Sequence, residues 1–219
     1  MALSGKPHQV ATVNAEFVMK AQKDREFREV LNHSDLTIPD GMGVVWAARL
    51  FGLRISERIA GVDTVERLAG IAEKLGLRMF FLGAAPGIAE KTANILRSRH
   101  PNLKVAGTFP GSPRKEDEEK IVALIAATKP HFLFVAFGCP AQDLWIARTM
   151  SRLNVPVSMG VGGTFDFITG VALRAPRLMQ RLGLEWLHRL YREPYRWRRM
   201  LALPRFALAV LMSKVLGWL

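Results

Sequence analysis

The chain has 219 residues, 49% of them apolar, with one cysteine, five histidines and a formal net charge of +12. A single cysteine excludes an intramolecular disulfide, the scattered histidines lack partners at metal-ligand spacing, and the length suits one α/β domain with an appendage. Ten basic residues against two acids from Arg174 onward give +8 there and leave +4 for the first 173 residues, an imbalance that points to a polyanion or an anionic membrane face.

The opening MALSGKPHQVATVN carries no charged-then-apolar leader, so export is not expected. Strands are predicted at HQVATV (8–13), DLTI (35–38), RMFFLG (78–83), LKVAG (103–107), HFLFVAFG (131–138) and VPVSMGV (155–161). Helical patterns lie between them, near 15–31, 43–52, 63–75, 87–99, 115–128 and 141–153. The alternation predicts βαβ units and a largely parallel sheet with helices on both faces, an α/β, Rossmann-like fold over residues 1–182. The near-continuous apolar run HFLFVAFG reads as a central strand covered on both sides.

Ligands of such sheets bind beyond the carboxyl ends of the strands, which directs attention to TVNAE, PDGMG, GAAPG, GCPAQ and GVGGTFDF. Glycine-rich turns at helix starts bring backbone N–H groups close to phosphate. Neither GxGxxG nor GxxxxGK[ST] occurs, which weakens oxidoreductase and P-loop readings. Asp40, between Pro39 and a glycine turn, reads on its own as a helix cap and alternatively as a carboxylate at a site. No two aspartates stand two residues apart, so the Asp-x-Asp metal motif is missing. The run EDEE (116–119) reads as the solvated start of a helix after Pro113.

Residues 183–219 form a basic, amphipathic C-terminal helical appendage. On a continuous helix Glu185, Arg189, Arg192, Arg196 and Arg199 share an arc of roughly 80°, with Trp186, Leu187, Leu190, Tyr191 and Trp197 mostly opposite. Pro194 is expected to break that helix. Arginines beside Trp and Tyr suit a membrane interface, whereas Pro204, Arg205 and Lys214 interrupt the last apolar stretch and disfavour a spanning helix. A hairpin packed on its own domain, or self-association, are other uses for these apolar residues. Nucleic acid is not expected, since no helix-turn-helix, RNP or zinc-finger pattern appears. The alternative to an enzyme is a non-catalytic basic nucleotide- or nucleic-acid-binding α/β protein.

Taken in order, TVNAEFV, PDGMGVV, ERIAGVD, GCPAQDLWI, GVGGTFDFITG, RAP and GLEWLHRLYREP make the chain resemble the WecG/TagA/CpsF glycosyltransferases over nearly its whole length. Members of that family begin further upstream, so the resemblance implies that this sequence lacks the family's opening segment. It further implies inverting, metal-independent transfer of an N-acetylmannosamine-type sugar from a UDP donor to undecaprenyl-diphosphate-linked N-acetylglucosamine, for teichoic acid, common antigen or capsule. The enzyme would be peripheral, on the cytoplasmic face of the cell membrane, and would need no cofactor; a homo-oligomer is the separate alternative raised by self-association through the apolar tail.

The same resemblance assigns the base to Asp40 and sugar hydrogen bonds to Thr12 and Asn14, with helix capping as the other reading of those two. Gln142 matches a pocket amide, or else an ordinary first-turn residue, and Ala141 stands where the family commonly has lysine. Arg58 would reach a phosphate, or pair with Glu57 or Asp63. Gly162, Gly163 and Asp166 would line the nucleotide pocket, with turn geometry and capping as alternatives. Arg174 would meet the diphosphate or lipid headgroups. Arg189, Arg196 and Arg199 would grip the diphosphate, for which guanidinium geometry is well matched. Cys139 reads as a small packed residue.

Overall fold

The computed structural model describes residues 1–217; Trp218 and Leu219, the end of the expected appendage, lie outside the described residues. Strands β1 (His8–Val13), β2 (Leu36–Pro39), β3 (Arg78–Gly83), β4 (Lys104–Phe109), β5 (Phe132–Ala136) and β6 (Val157–Gly160) make one parallel sheet in the order β2-β1-β6-β5-β3-β4. The helices are α1 (Ala15–Ala21), α2 (Arg25–His33), α3 (Met42–Leu50), α4 (Gly61–Leu75), α5 (Ile88–Arg99), α6 (Lys115–Thr128) and α7 (Ala141–Leu153). After β6 come α8 (Thr164–Thr169), α9 (Arg177–Arg181), α10 (Glu185–Arg192), a 3-10 turn (Pro194–Arg196), α11 (Trp197–Met200) and α12 (Ala202–Leu216).

The expected α/β, Rossmann-like architecture is observed, and strand alternation explains its two layers. On one face Met79, Phe81, Phe132, Phe134, Val157 and Met159 pack with residues of α4, α5 and α8. On the other, Phe80, Leu82, Leu133 and Val135 meet Ile121, Ile125, Trp145 and Ile146 of α6 and α7. All five residues of β5 are buried, in keeping with a strand covered on both faces.

Two expectations need correction. The helix foreseen over 15–31 is two helices, because Asp24 adopts extended backbone and accepts the Phe27 N–H at 3.0 Å as the N-cap of α2. The EDEE run is not wholly solvated: Glu118 is buried and ion-paired with Arg148 at 2.6 Å and Arg152 at 2.8 Å, both on α7. The break expected at Pro194 is observed: the chain leaves the helix at Glu193, and the arginines of the tail are spread over α10, the 3-10 turn and α11. Pro204, by contrast, sits in the first turn of α12, where its missing N–H has no intrahelical acceptor to lose.

The appendage returns to the domain. Helix α12 packs on α1 and α3 and buries Phe206, whose ring lies 3.7 Å from the place a Cβ on Gly43 would take. Gly183, at φ +72°, lies against Met42, where a Cβ would come within 2.9 Å of that side chain. Leu208, Leu211, Met212, Val215 and Leu216 stay more than half exposed on α12. Among the described residues no helix is long and apolar enough to cross a membrane.

Candidate active site

The carboxyl ends of β1, β2, β3, β5 and β6 open into a cleft of 540 Å³, and the appendage supplies its remaining wall. Thr12, Asn14, Asp40, Arg58, Gln142, Gly162, Gly163, Asp166, Arg189, Arg196 and Arg199 all line it; of the residues singled out from sequence, Arg174 alone does not. Sheet topology thus gathers residues that are up to 187 positions apart, from Thr12 to Arg199.

Asp40 follows β2, its backbone N–H donating to the Val13 carbonyl at 2.8 Å. It does not cap the helix beside it: Gly41 is the N-cap of α3, with no side-chain hydrogen bond. Its carboxyl lies instead near the start of α4, where a Cβ on Gly61 would come within 3.7 Å of Oδ2. Desolvation by the surrounding protein is the chief influence and pushes its pKa up from 3.8 to about 7, and Glu185 pushes the same way. Arg58, the Gly61 N–H and Arg174 oppose the rise. A carboxyl that titrates near neutrality is matched to accepting a proton.

Around Asp40 lies a chain of ion pairs. Arg58, from the extended segment before α4, pairs with Glu185 of α10 at 2.6 Å. Its partner is therefore neither Glu57 nor Asp63. Asp63 is taken by Arg174, through contacts of 2.5 and 2.8 Å, and Arg174 Nε lies 3.5 Å from Glu185. Further along, Arg189 lies 4.8 Å over the Phe167 ring, its Nη2 3.0 Å from where a Cβ on Gly163 would be. Glycine at 163 is thus what admits the guanidinium. Glu193 pairs with both Arg189 (3.6 Å) and Arg196, and Glu16 of α1 holds Arg199 at 2.8 Å. Burial, then Arg196, draws the Arg189 pKa below its ordinary value. Its buried Nε–H has no hydrogen-bond partner among the described residues. An anion beside it would relieve both conditions.

The remaining assigned residues do local structural work as well. Thr12 Oγ1 donates to the Gly160 carbonyl at 2.9 Å, tying β1 to β6. Asn14 caps α1, accepting from Phe17 N–H at 3.2 Å. Gln142, nearly inaccessible, accepts the Gly162 N–H at 2.9 Å and so shapes the GVGG turn. Asp166 makes no cap for α8; burial, its largest influence, raises its pKa. Glu16, Phe167, Glu185 and Trp186 also line the cleft. Glu185 had been visible only as the acid on the arginine arc. Glu16 pairs locally with Lys20 at 3.0 Å, but nothing local pointed to its cleft partner Arg199, which is 183 residues away. Among the described residues no three His, Cys, Asp or Glu side chains gather as a metal site.

A family model described as "Glycosyl transferase WecG/TagA/CpsF family" matches residues 1–218. The chain belongs to the WecG/TagA/CpsF family. It is a glycosyltransferase. A relative from Bacillus subtilis (strain 168), the N-acetylglucosaminyldiphosphoundecaprenol N-acetyl-beta-D-mannosaminyltransferase, is 40% identical over 205 residues, 94% of this chain and 79% of that protein. A protein of the same name from Bacillus spizizenii (strain ATCC 23059 / NRRL B-14472 / W23) is 36% identical over 202 residues, covering 92% and 78%.

Two further features of this WecG/TagA/CpsF enzyme bear on its GCPAQD loop. Burial is the main cause that pushes the Cys139 thiol up to about 12, which makes it a poor nucleophile and fits a packed residue. Asp143 is fully buried, its two oxygens without hydrogen-bond partners by distance and angle among the described residues, and burial, the largest influence, pushes its pKa up to about 7. Gly160 makes room for this pair: a Cβ there would lie 2.5 Å from Gln142 Nε2 and 2.8 Å from Asp143 Oδ1.

Proposed function

We propose that the protein transfers an N-acetylmannosamine-type sugar, with inversion, from a UDP donor to N-acetylglucosamine carried on undecaprenyl diphosphate. The names of the relatives support the acceptor and the transferred sugar. The observation that carries the chemistry is Asp40, a carboxyl tuned to about 7 in a cleft that Arg189, Arg196 and Arg199 also line.

In this reading an acceptor hydroxyl oxygen attacks the anomeric carbon of the donor as the bond from that carbon to the UDP oxygen breaks. Asp40 takes the hydroxyl proton, and UDP leaves with the bonding electron pair. Single displacement from the face opposite UDP inverts the anomeric centre. Arg189, Arg196 and Arg199 hold the diphosphate and stabilise the charge that builds on it, the part a divalent metal plays in other glycosyltransferases. Gly162 lets the nucleotide approach the backbone, Gly163 makes room for the Arg189 guanidinium, Gln142 holds the turn that carries them, Asp166 lies on the nucleotide's side, and Asn14 offers a polar group to the sugars. The exposed apolar residues of α12 and the basic charge of the tail support a peripheral position on the cytoplasmic face of an anionic membrane, alongside a lipid-linked acceptor. The product is an early lipid-linked intermediate for a cell-surface polysaccharide.

The test is a panel of UDP-sugars with a short-chain polyprenyl-diphosphate-N-acetylglucosamine, with and without EDTA. Turnover of UDP-N-acetylmannosamine that survives EDTA is expected. Turnover abolished by EDTA would overturn the metal-free part of the reading.

A further inference from the structure

We propose that Glu185 is a positioning residue for this reaction: by engaging Arg58 it keeps that guanidinium from becoming the salt-bridge partner of Asp40. The proposal rests on Asp40 being the base, and it gives the appendage a role in the chemistry itself.

Arg58 and Asp40 both line the cleft, and Arg58 is close enough to act on Asp40 as its largest charged influence. An arginine free to settle against a half-buried carboxylate would hold it ionised and make it a weak base. In the structure Arg58 is turned to Glu185 at 2.6 Å, in a pair with only 14% and 20% of the two side chains exposed. Arg174, the other nearby cation, is likewise occupied, bound through two nitrogens to Asp63 and 3.5 Å from Glu185. The charged groups acting on Asp40 are therefore Arg58 from the segment before α4, Glu185 from α10 and Arg174 from the segment before α9, with the Gly61 N–H of α4 beside them. With Asp63 included, these side chains carry one surplus negative charge when Asp40 is ionised and none when it is protonated. Glu185 is the source of the surplus. Without its charge, ionised Asp40 would complete a neutral cluster and give up its basicity.

Glu185 is also the first residue of α10, so its charge reaches the cleft only while the appendage is docked. Base strength is thereby conditional on docking: an appendage lifted away leaves Arg58 to Asp40.

The experiment is a pH titration of the full chain carrying 13C-labelled aspartate carboxyls, with Asp40→Asn identifying the Asp40 signal. In Glu185→Gln the Asp40 midpoint is expected to fall by at least about one pH unit. The acid limb of the kcat/KM profile for UDP-N-acetylmannosamine should move with it, and Glu185→Asp should restore both. Arg58→Gln, alone or combined with Glu185→Gln, should return the midpoint to the wild-type value or above; this second substitution keeps the idea testable if Glu185→Gln does not fold. An Asp40 midpoint unchanged in folded Glu185→Gln overturns the proposal. A midpoint that moves as expected, alongside undiminished turnover in Asp40→Asn, would leave the electrostatic relation standing and remove Asp40 as the base.

Discussion

At the scale of single residues, two carboxyls with similar pKa values have different duties. Asp40 faces the cleft, so its ionisation should appear in catalysis. Turnover is expected to rise about tenfold per pH unit below pH 7 and to level off above it, because only the ionised form accepts a proton. Asp40→Asn should cost roughly 10²- to 10⁴-fold in kcat while UDP still binds, as steady-state kinetics and calorimetry would measure. Asp143 is sealed in and should appear in stability. Its pKa is raised in the folded state from the 3.8 of an open chain to about 7, so the folded state binds more protons between those values. Stability therefore falls as pH rises through that window and levels off above it. Asp143→Asn, which cannot ionise, should flatten this slope in thermal melts between pH 4 and 8; Asp40 contributes a slope of the same sign, so the comparison belongs in an Asp40→Asn background. An unaltered slope would show that Asp143 is not the group titrating.

At the scale of elements, the appendage divides its arginines between two surfaces. Arg189, Arg196 and Arg199 line the cleft, whereas Arg192 and Arg198 are exposed and do not. Replacing Arg189 or Arg196 by alanine should weaken UDP binding about tenfold or more, since each is proposed to make a charge-assisted contact to the diphosphate. The pair Arg192→Ala and Arg198→Ala should leave UDP binding unchanged and reduce retention on anionic vesicles. Isothermal titration and vesicle sedimentation separate the two outcomes. The strands, most helices and the cleft-facing loops were legible in the sequence, because periodicity two, periodicity 3.6 and glycine punctuation are local signals. The split of the first helix was legible in principle at Asp24, whose spacing to Phe27 is that of an N-cap and its N3 residue. Glu193 lies at helical spacing from Arg189 and Arg196, but the acid that holds Arg199 was not legible. Glu16 finds Arg199 only after α12 folds back on α1, and no local pattern encodes a contact between those positions.

At the scale of the whole molecule, charge and apolar exposure coincide at one end of the chain. The last 46 residues carry +8, and α12 presents Leu208, Leu211, Met212 and Val215 to solvent. Attachment to vesicles containing phosphatidylglycerol should weaken as salt rises from about 0.05 to 0.5 M, because screening removes the electrostatic share. Leu211→Glu with Val215→Glu should abolish it without disturbing the fold, since both side chains are exposed. Retention of wild-type binding by that variant would remove α12 from the attachment surface.

The strand order carries one more consequence, for how the enzyme comes into being. Its last strand, β6, lies in the interior of the sheet, between β1 and β5. A growing chain that has emerged only as far as α7 can therefore hold two partial sheets, β2 with β1 and β5 with β3 and β4, each ending in a bare edge. Joining them requires contacts such as Thr12 to Gly160, across 148 residues, whose closure is entropically slow. The cleft cannot exist in any half-made molecule. Synthesis must pass residue 160 before there is a floor for substrate, and must reach the arginines of the appendage before there is a wall.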